Sequence, residues 1–249
     1  MPRCSRCWCR PPERGRGGRR SRHPRRRDGA ARRPRSAVAP PAILVREEAR
    51  MPTGQDARRL PLRRPEELDA EQSGLYARIV GGPRASQSVP VTAPDGSLLG
   101  PFAVMALAPE VGDAVQQLGA ALRVSTGVDP LTREAAILLV AAHHRCEFEW
   151  FAHSGAAGRA GLTEGQLAAL RDGRVPAELP PLTTAVLEVV DSLLRHRSLD
   201  DAEYAAAAAS LGEQALAEVV WLTGYYSMLA VALATFEPPN PLSGGVTFT

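Results

Sequence analysis

EAAILLVAAHHRCEFEWFAH, residues 134–153, holds a smooth apolar run from Ala135 to Ala142 together with three histidines, three carboxylates and a cysteine. Packing alone does not account for that density of titratable groups. If residues 145–159 are helical, Cys146, Glu149, Trp150 and His153 fall at i, i+3, i+4 and i+7, on one face. A carboxylate beside an imidazole favours the imidazolium and fixes the ring, as a general acid or base requires. An ordinary surface Glu/His pair has the same spacing, but Trp150 and Phe151, followed by Ala156 and Ala157, argue that part of this face is enclosed.

The neighbouring residues leave alternatives open. Cys146 sits beside Arg145, which favours its thiolate, and one turn from Glu149, which opposes it; a small buried core residue is the other reading. His143 and His144 with Glu147 could be read as metal donors, but adjacent helical residues point about 100° apart, so no metal site is expected. Glu134 precedes Cys146 by twelve residues. On one unbroken helix the two would lie about 18 Å apart, so Glu134 joins the site only if the chain turns back near His143 to Arg145.

The 249 residues suffice for one sizeable domain, and the 44% hydrophobic content for a core. The formal charge of +3 conceals an asymmetry: 16 of the 30 basic residues lie in residues 1–50 against four acids, so the remainder is acidic. Every basic residue is arginine, a coding bias that weakens arginine content as evidence for nucleic-acid binding. Cys4, Cys7 and Cys9 lie in the first segment and Cys146 alone in the rest, which offers no disulfide framework and fits a cytoplasmic setting.

Residues 1–50 are Arg/Pro/Gly-rich and are expected to be disordered. They read as upstream sequence before a true start at Met51, or as a basic tail; a nucleic-acid arm, a targeting peptide and a zinc site from Cys4, Cys7, Cys9 and His23 are further readings. No apolar region of a secretory signal follows the arginines.

Residues 51–249 read as a single all-α domain with its core at about 104–240. Helices are expected from Arg64–Pro65 to Val80, from Pro109 to Val124, from Thr132 as cap through the central stretch to Ala160, and from the Thr163 capping box to Asp172. Others follow at 182–196, 200–211 started by Ser198 and stopped by Gly212, and 214–236, with 83–103 a loop. Val219 to Phe236 is eighteen residues without a charge, near the length of a membrane span. Thr223, Gly224, Tyr225, Tyr226 and Ser227 in its middle favour a buried or subunit-contact helix, and no membrane insertion is expected.

The order Glu134, Cys146, position 149, His153, then Ala160-Gly161-Leu162-Thr163, resembles the carboxymuconolactone decarboxylase family, which includes the alkylhydroperoxidase D branch. Phe148-Glu149-Trp150-x-x-His153 is similar to the decarboxylase-like branch, and the resemblance extends over about residues 60 to 240, through Gly100-Pro101-Phe102 and Gly224-Tyr225-Tyr226. It implies an alkylhydroperoxidase D-like fold of antiparallel helices, assembled as a homotrimer or homohexamer with sites near subunit contacts. In the peroxidase branch a Cys-x-x-Cys pair occupies the positions of Cys146 and Glu149, relayed by residues at the positions of Glu134 and His153. Here the second cysteine is Glu149, so that disulfide cannot form.

By resemblance to the decarboxylase branch, a small carboxylated lactone would lose CO2 without a cofactor. His153 would be proton donor, Glu149 its orienting partner and Glu134 a second polar group, with Cys146 a bystander or pocket wall. Arg145 is the expected cation for the substrate carboxylate, and Trp150 the other substrate-binding residue. The alternatives are a thiol-dependent peroxidase through Cys146 and a non-catalytic oligomeric binding protein; nucleic acid is not an expected partner.

Overall fold

The computed structural model describes residues 59–82, 90–124, 127–239 and 248. Residues 1–50, with the arm, start-site and zinc readings attached to them, lie outside the described residues.

The centre of the fold is the helix that the apolar run makes. Here α4 denotes Pro130–His143, preceded by α1 (Ala70–Val80), α2 (Pro101–Met105) and α3 (Pro109–Val124). It is followed by α5 (Glu147–Ala160), α6 (Glu164–Arg171), α7 (Pro181–His196) and α8 (Asp201–Phe236). Every residue of α4 from Glu134 to Ala142 is buried. A helix apolar on all sides has to be covered on all sides, and α5, α6, α7 and α8 pack around it. Among the described residues there is no strand, only an isolated bridge between Thr92 and Leu98.

Several boundaries differ from the sequence expectation. The first helix starts later, because Asp69 accepts from the Gln72 amide as its cap, and Pro65–Glu67 forms a separate 3-10 turn. The segment expected to be loop contains α2, a single turn opened by Gly100 and Pro101. Asp129, not Thr132, caps α4, and its carboxylate accepts from both the amide and the hydroxyl of Thr132. Asp200, not Ser198, caps α8. The stop expected at Gly212 is present as a kink (φ 77, ψ 156), and the helix resumes beyond it.

The expected central helix is broken in two, and this break places the site. α4 ends in a Schellman turn: the Cys146 amide donates to Ala141 O (2.8 Å) and the Arg145 amide to Ala142 O (3.0 Å), with Arg145 at φ 51. Cys146 then serves as N-cap residue of α5, which runs back along α4.

α8 is long and apolar enough, by length and composition, to cross a membrane. One side of it nevertheless lies in the protein core, with Val219, Leu222, Tyr225, Tyr226 and Leu229 buried.

Candidate active site

Because α5 doubles back, Glu134 meets His153. His153 Nδ1 lies 2.7 Å from Glu134 Oε2, and His153 Nε2 lies 3.5 Å from Glu149 Oε2, one turn earlier on α5. Glu134, Glu149 and His153 are 8%, 4% and 4% exposed, so the three titratable groups share a nearly dry environment. Buried charges persist only when paired, and the pairing here extends outward, since Arg133 Nε stands 3.5 Å from Glu134 Oε1.

Burial works against ionisation of Glu134, but the hydrogen bond and charge of His153, with Arg133 and Arg123, outweigh it and hold the carboxyl below its usual value. A carboxylate on Nδ1 makes that nitrogen the N–H donor and directs Nε2 towards Glu149.

These groups line a cavity of about 240 Å³ between α3, α4, α5 and α8. Its apolar wall includes Val91, Phe102, Phe148 and Leu229, and its polar wall adds Arg123 and Tyr226. Tyr226 sets its ring edge-on to His153, with centroids 5.3 Å apart and planes at 88°. Burial, the largest influence, drives the Tyr226 phenol well above its ordinary value despite the opposing pull of Arg123, so it stays protonated. Burial would lower the Arg123 value, but Tyr226, Glu134 and Glu149 together raise it.

The sequence reading placed Glu134, Glu149 and His153 in one site, and these the fold brings together. It does not bring the other three. Cys146 is packed with Leu99, Phe148, Ala230 and Leu233 in an apolar cluster and does not line the cavity. Burial, followed by the Glu149 charge, pushes its thiol up to about 12. Arg145 is exposed and borders a different depression with Arg171 and Asp172, because the Schellman turn points it outward. Trp150 lies in the main core, edge-on to Phe248 at 5.7 Å, rather than on the cavity wall.

Arg123 and Tyr226 are the site groups that the sequence reading missed. Arg123 lies in the last turn of α3 and Tyr226 in the second half of α8, so neither belongs to the local pattern around His153. The available signal was a tyrosine pair inside the charge-free half of α8, which a core position does not require. Among the described residues no group of three or more His, Cys, Asp or Glu is placed to hold a metal ion.

Residues 109–192, from the start of α3 into α7, match the carboxymuconolactone decarboxylase family. None of the curated proteins matches the chain. Among solved structures, the chain is similar to the alkylhydroperoxidase AhpD core of an uncharacterized peroxidase-related protein from Ralstonia eutropha JMP134. That likeness has 15% identity and a TM-score of 0.59, covering 76% of this chain and 97% of the other. It is also similar to an uncharacterized peroxidase-related protein from Silicibacter sp. TM1040, at 16% identity and a TM-score of 0.50, covering 59% of this chain and 78% of the other. At such identities the likeness is one of fold. The chain thus carries a carboxymuconolactone decarboxylase family domain at residues 109–192, within an all-α fold of the alkylhydroperoxidase D type.

Proposed function

We propose that the cavity performs acid–base chemistry on a small carboxylated lactone or related acid, removing CO2 and returning a proton to the enolate carbon that the departing electron pair generates. The observation that carries this reading is His153, held at Nδ1 by Glu134 and facing Glu149 with Nε2, on the wall of a cavity lined by both apolar and polar side chains. The carbon–carboxylate bond breaks, CO2 departs, and its electron pair passes into the unsaturated lactone carbonyl. The His153 imidazolium then gives its Nε2 proton to carbon. Glu134 keeps the ring oriented throughout, and Glu149 stands close enough to Nε2 to steady the imidazolium as it regains a proton from water.

A positioned general acid contributes roughly 10²–10⁴-fold to such a step. Peroxidase chemistry through Cys146 is the less supported reading. A thiol pushed up to about 12 and packed among apolar side chains yields almost no thiolate near neutral pH. The family resemblance and the exposed apolar side chains Trp221, Met228 and Val231 on one side of α8 further support a homo-oligomer.

The test is CO2 release from 4-carboxymuconolactone by the full chain, with His153→Ala and a thiol-dependent peroxide assay alongside. Turnover that falls at least about a hundredfold in His153→Ala is expected. Turnover unchanged by His153→Ala, or Cys146-dependent peroxide consumption without CO2 release, would sink the proposal.

A further inference from the structure

Decarboxylation moves an electron pair onto the lactone carbonyl, and the enolate oxygen that results needs a partner that the proton-transfer step does not supply. Donors fixed in advance where charge develops are usually the largest single contribution to such a step. Among the described residues lining the cavity, the polar side chains are Arg123, Glu134, Glu149, His153, Tyr225 and Tyr226. Glu134 is held as a carboxylate and only accepts. His153 has Nδ1 engaged by Glu134 and turns Nε2, the proton donor for carbon, towards Glu149. Arg123 and the two tyrosines remain as donors.

Position separates these three. The oxygen of an enolate lies two bonds from the carbon that is protonated, so its donor has to stand beside the proton donor. The Tyr226 ring meets His153 edge-on, with centroids 5.3 Å apart, whereas Tyr225 sets its ring against Tyr226, at 5.2 Å. Arg123 is hydrogen-bonded to the Tyr226 side chain. A guanidinium has no acceptor, so in that bond Tyr226 Oη accepts and keeps its own O–H proton for another acceptor. Tyr226 lines the same space as His153, where a bound carbonyl oxygen would be that acceptor.

We propose that Tyr226 is a further catalytic residue, the hydrogen-bond donor to the enolate oxygen that forms as CO2 leaves, and that Arg123 is the positioning residue that holds its hydroxyl in the donating sense. The bond to the carboxylate breaks and its pair moves through carbon to the carbonyl oxygen, which the Tyr226 O–H meets without giving up its proton. The pair returns to carbon as His153 delivers the Nε2 proton, so the tyrosine neither gains nor loses one. Burial keeps the phenol protonated, as a neutral acid that donates a hydrogen bond must be. The guanidinium on Oη polarises the hydroxyl and makes it the stronger donor. This assignment rests on the acid–base reading of the same cavity, but its binding test does not depend on turnover.

The probe is 4-nitrophenolate, a planar unsaturated ring that carries its charge on oxygen as the enolate does, compared with neutral nitrobenzene. Binding of each to the full chain is measured by calorimetry at a pH where the phenol is ionised. The wild-type chain is expected to bind the phenolate more tightly than nitrobenzene by on the order of ten- to a hundredfold. Tyr226→Phe, which removes only the hydroxyl, should weaken the phenolate about tenfold and leave nitrobenzene unchanged. In CO2 release from 4-carboxymuconolactone it should lower kcat roughly 10²–10³-fold with KM little altered, because the bond strengthens only as charge develops. Thermal unfolding verifies the fold of the variant. Where it does not fold, the wild-type proton spectrum decides: a hydroxyl resonance driven far downfield by the phenolate, and not by nitrobenzene, is expected.

Phenolate binding unchanged in Tyr226→Phe, or no downfield resonance where that spectrum is used, would overturn the assignment, as would a wild-type chain that binds phenolate and nitrobenzene alike. So would a phenolate preference that survives Tyr226→Phe and disappears in Arg123→Gln, since the guanidinium itself would then hold the oxyanion. The two proposals fail separately. A phenolate preference that needs Tyr226, without CO2 release from 4-carboxymuconolactone, would sink the decarboxylation alone. CO2 release that depends on His153 but runs unchanged in Tyr226→Phe would sink the enolate donor alone.

Discussion

Glu134 and Cys146 are both buried, yet burial has opposite outcomes for them. His153, Arg133 and Arg123 more than compensate the desolvation of Glu134, so its carboxyl ionises more readily than the usual 4.5. A depressed folded value contributes stability that is present above the unfolded value and lost as pH falls through the folded one. Urea unfolding from about pH 6 down to about pH 3 should therefore show an acid limb that Glu134→Gln flattens. A limb identical in both proteins would remove Glu134 from the ion pair. Cys146 gains no such partner, and its thiol is pushed from 9.0 up to about 12. Below 9.0 it adds no pH dependence; between 9.0 and about 12 only the unfolded chain ionises, so stability falls as pH rises. Alkylation at neutral pH followed by peptide mapping should leave Cys146 unmodified in the native chain and modify it after unfolding. Rapid native labelling would argue for a reactive thiol and revive the redox reading.

Among elements, the turn between α4 and α5 has the largest consequence, because it converts two sequence-distant groups into a pair 2.7 Å apart. It was only partly legible. The requirement for a turn near His143 to Arg145 could be stated from distance, but Arg145 occupies a left-handed position that glycine or asparagine usually marks. Nothing in its identity announces that role. Arg145→Gly should stabilise the chain by about 1 kcal/mol, since a left-handed residue with a Cβ carries a cost of roughly that size. It should also leave turnover unchanged, as Arg145 is exposed and away from the cavity. Loss of turnover would restore Arg145 to the site. α2 escaped notice because five residues are too few for a hydrophobic period to register. Its leading Gly100 has φ 53, and a Cβ there would run into the Phe148 ring, which forms part of the cavity wall. Gly100→Ala should therefore lower stability by roughly 1–3 kcal/mol through overpacking and reduce turnover as Phe148 shifts. Wild-type unfolding and kinetics in that variant would show the wall to be pliable.

At the level of the molecule, the fold was more legible than the site, and the reason is physical. The helical period and the caps are local, so α3, α6 and α7 follow from neighbouring residues. Cavity composition is not local: Arg123 and Tyr226 arrive from two other helices, and only packing reveals that they face His153. The same distinction applies to the second half of α8, residues 219–236, which carries no charge on any side. Its inner side is accounted for by Leu222, Tyr226, Leu229 and Leu233, buried against the chain's own core. Its outer side is not, because Trp221, Met228 and Val231 are 65%, 43% and 59% exposed. On a helix these three positions and Gly224 fall along one stripe, and an added Cβ at Gly224 would meet nothing, so another helix could approach closely there. An apolar stripe continuous along a helix marks a contact rather than a solvated face. We propose that a second copy of the chain covers it, in the symmetric assembly that the family resemblance implies. Trp221→Arg places a charge in the middle of the stripe without touching the cavity. Analytical ultracentrifugation should then show an oligomer for the wild-type chain and a smaller species for the variant, with the helical circular dichroism retained. A wild-type chain that sediments as a single copy would overturn the contact, and one that instead partitions onto lipid vesicles through Trp221 would assign the stripe to a membrane surface.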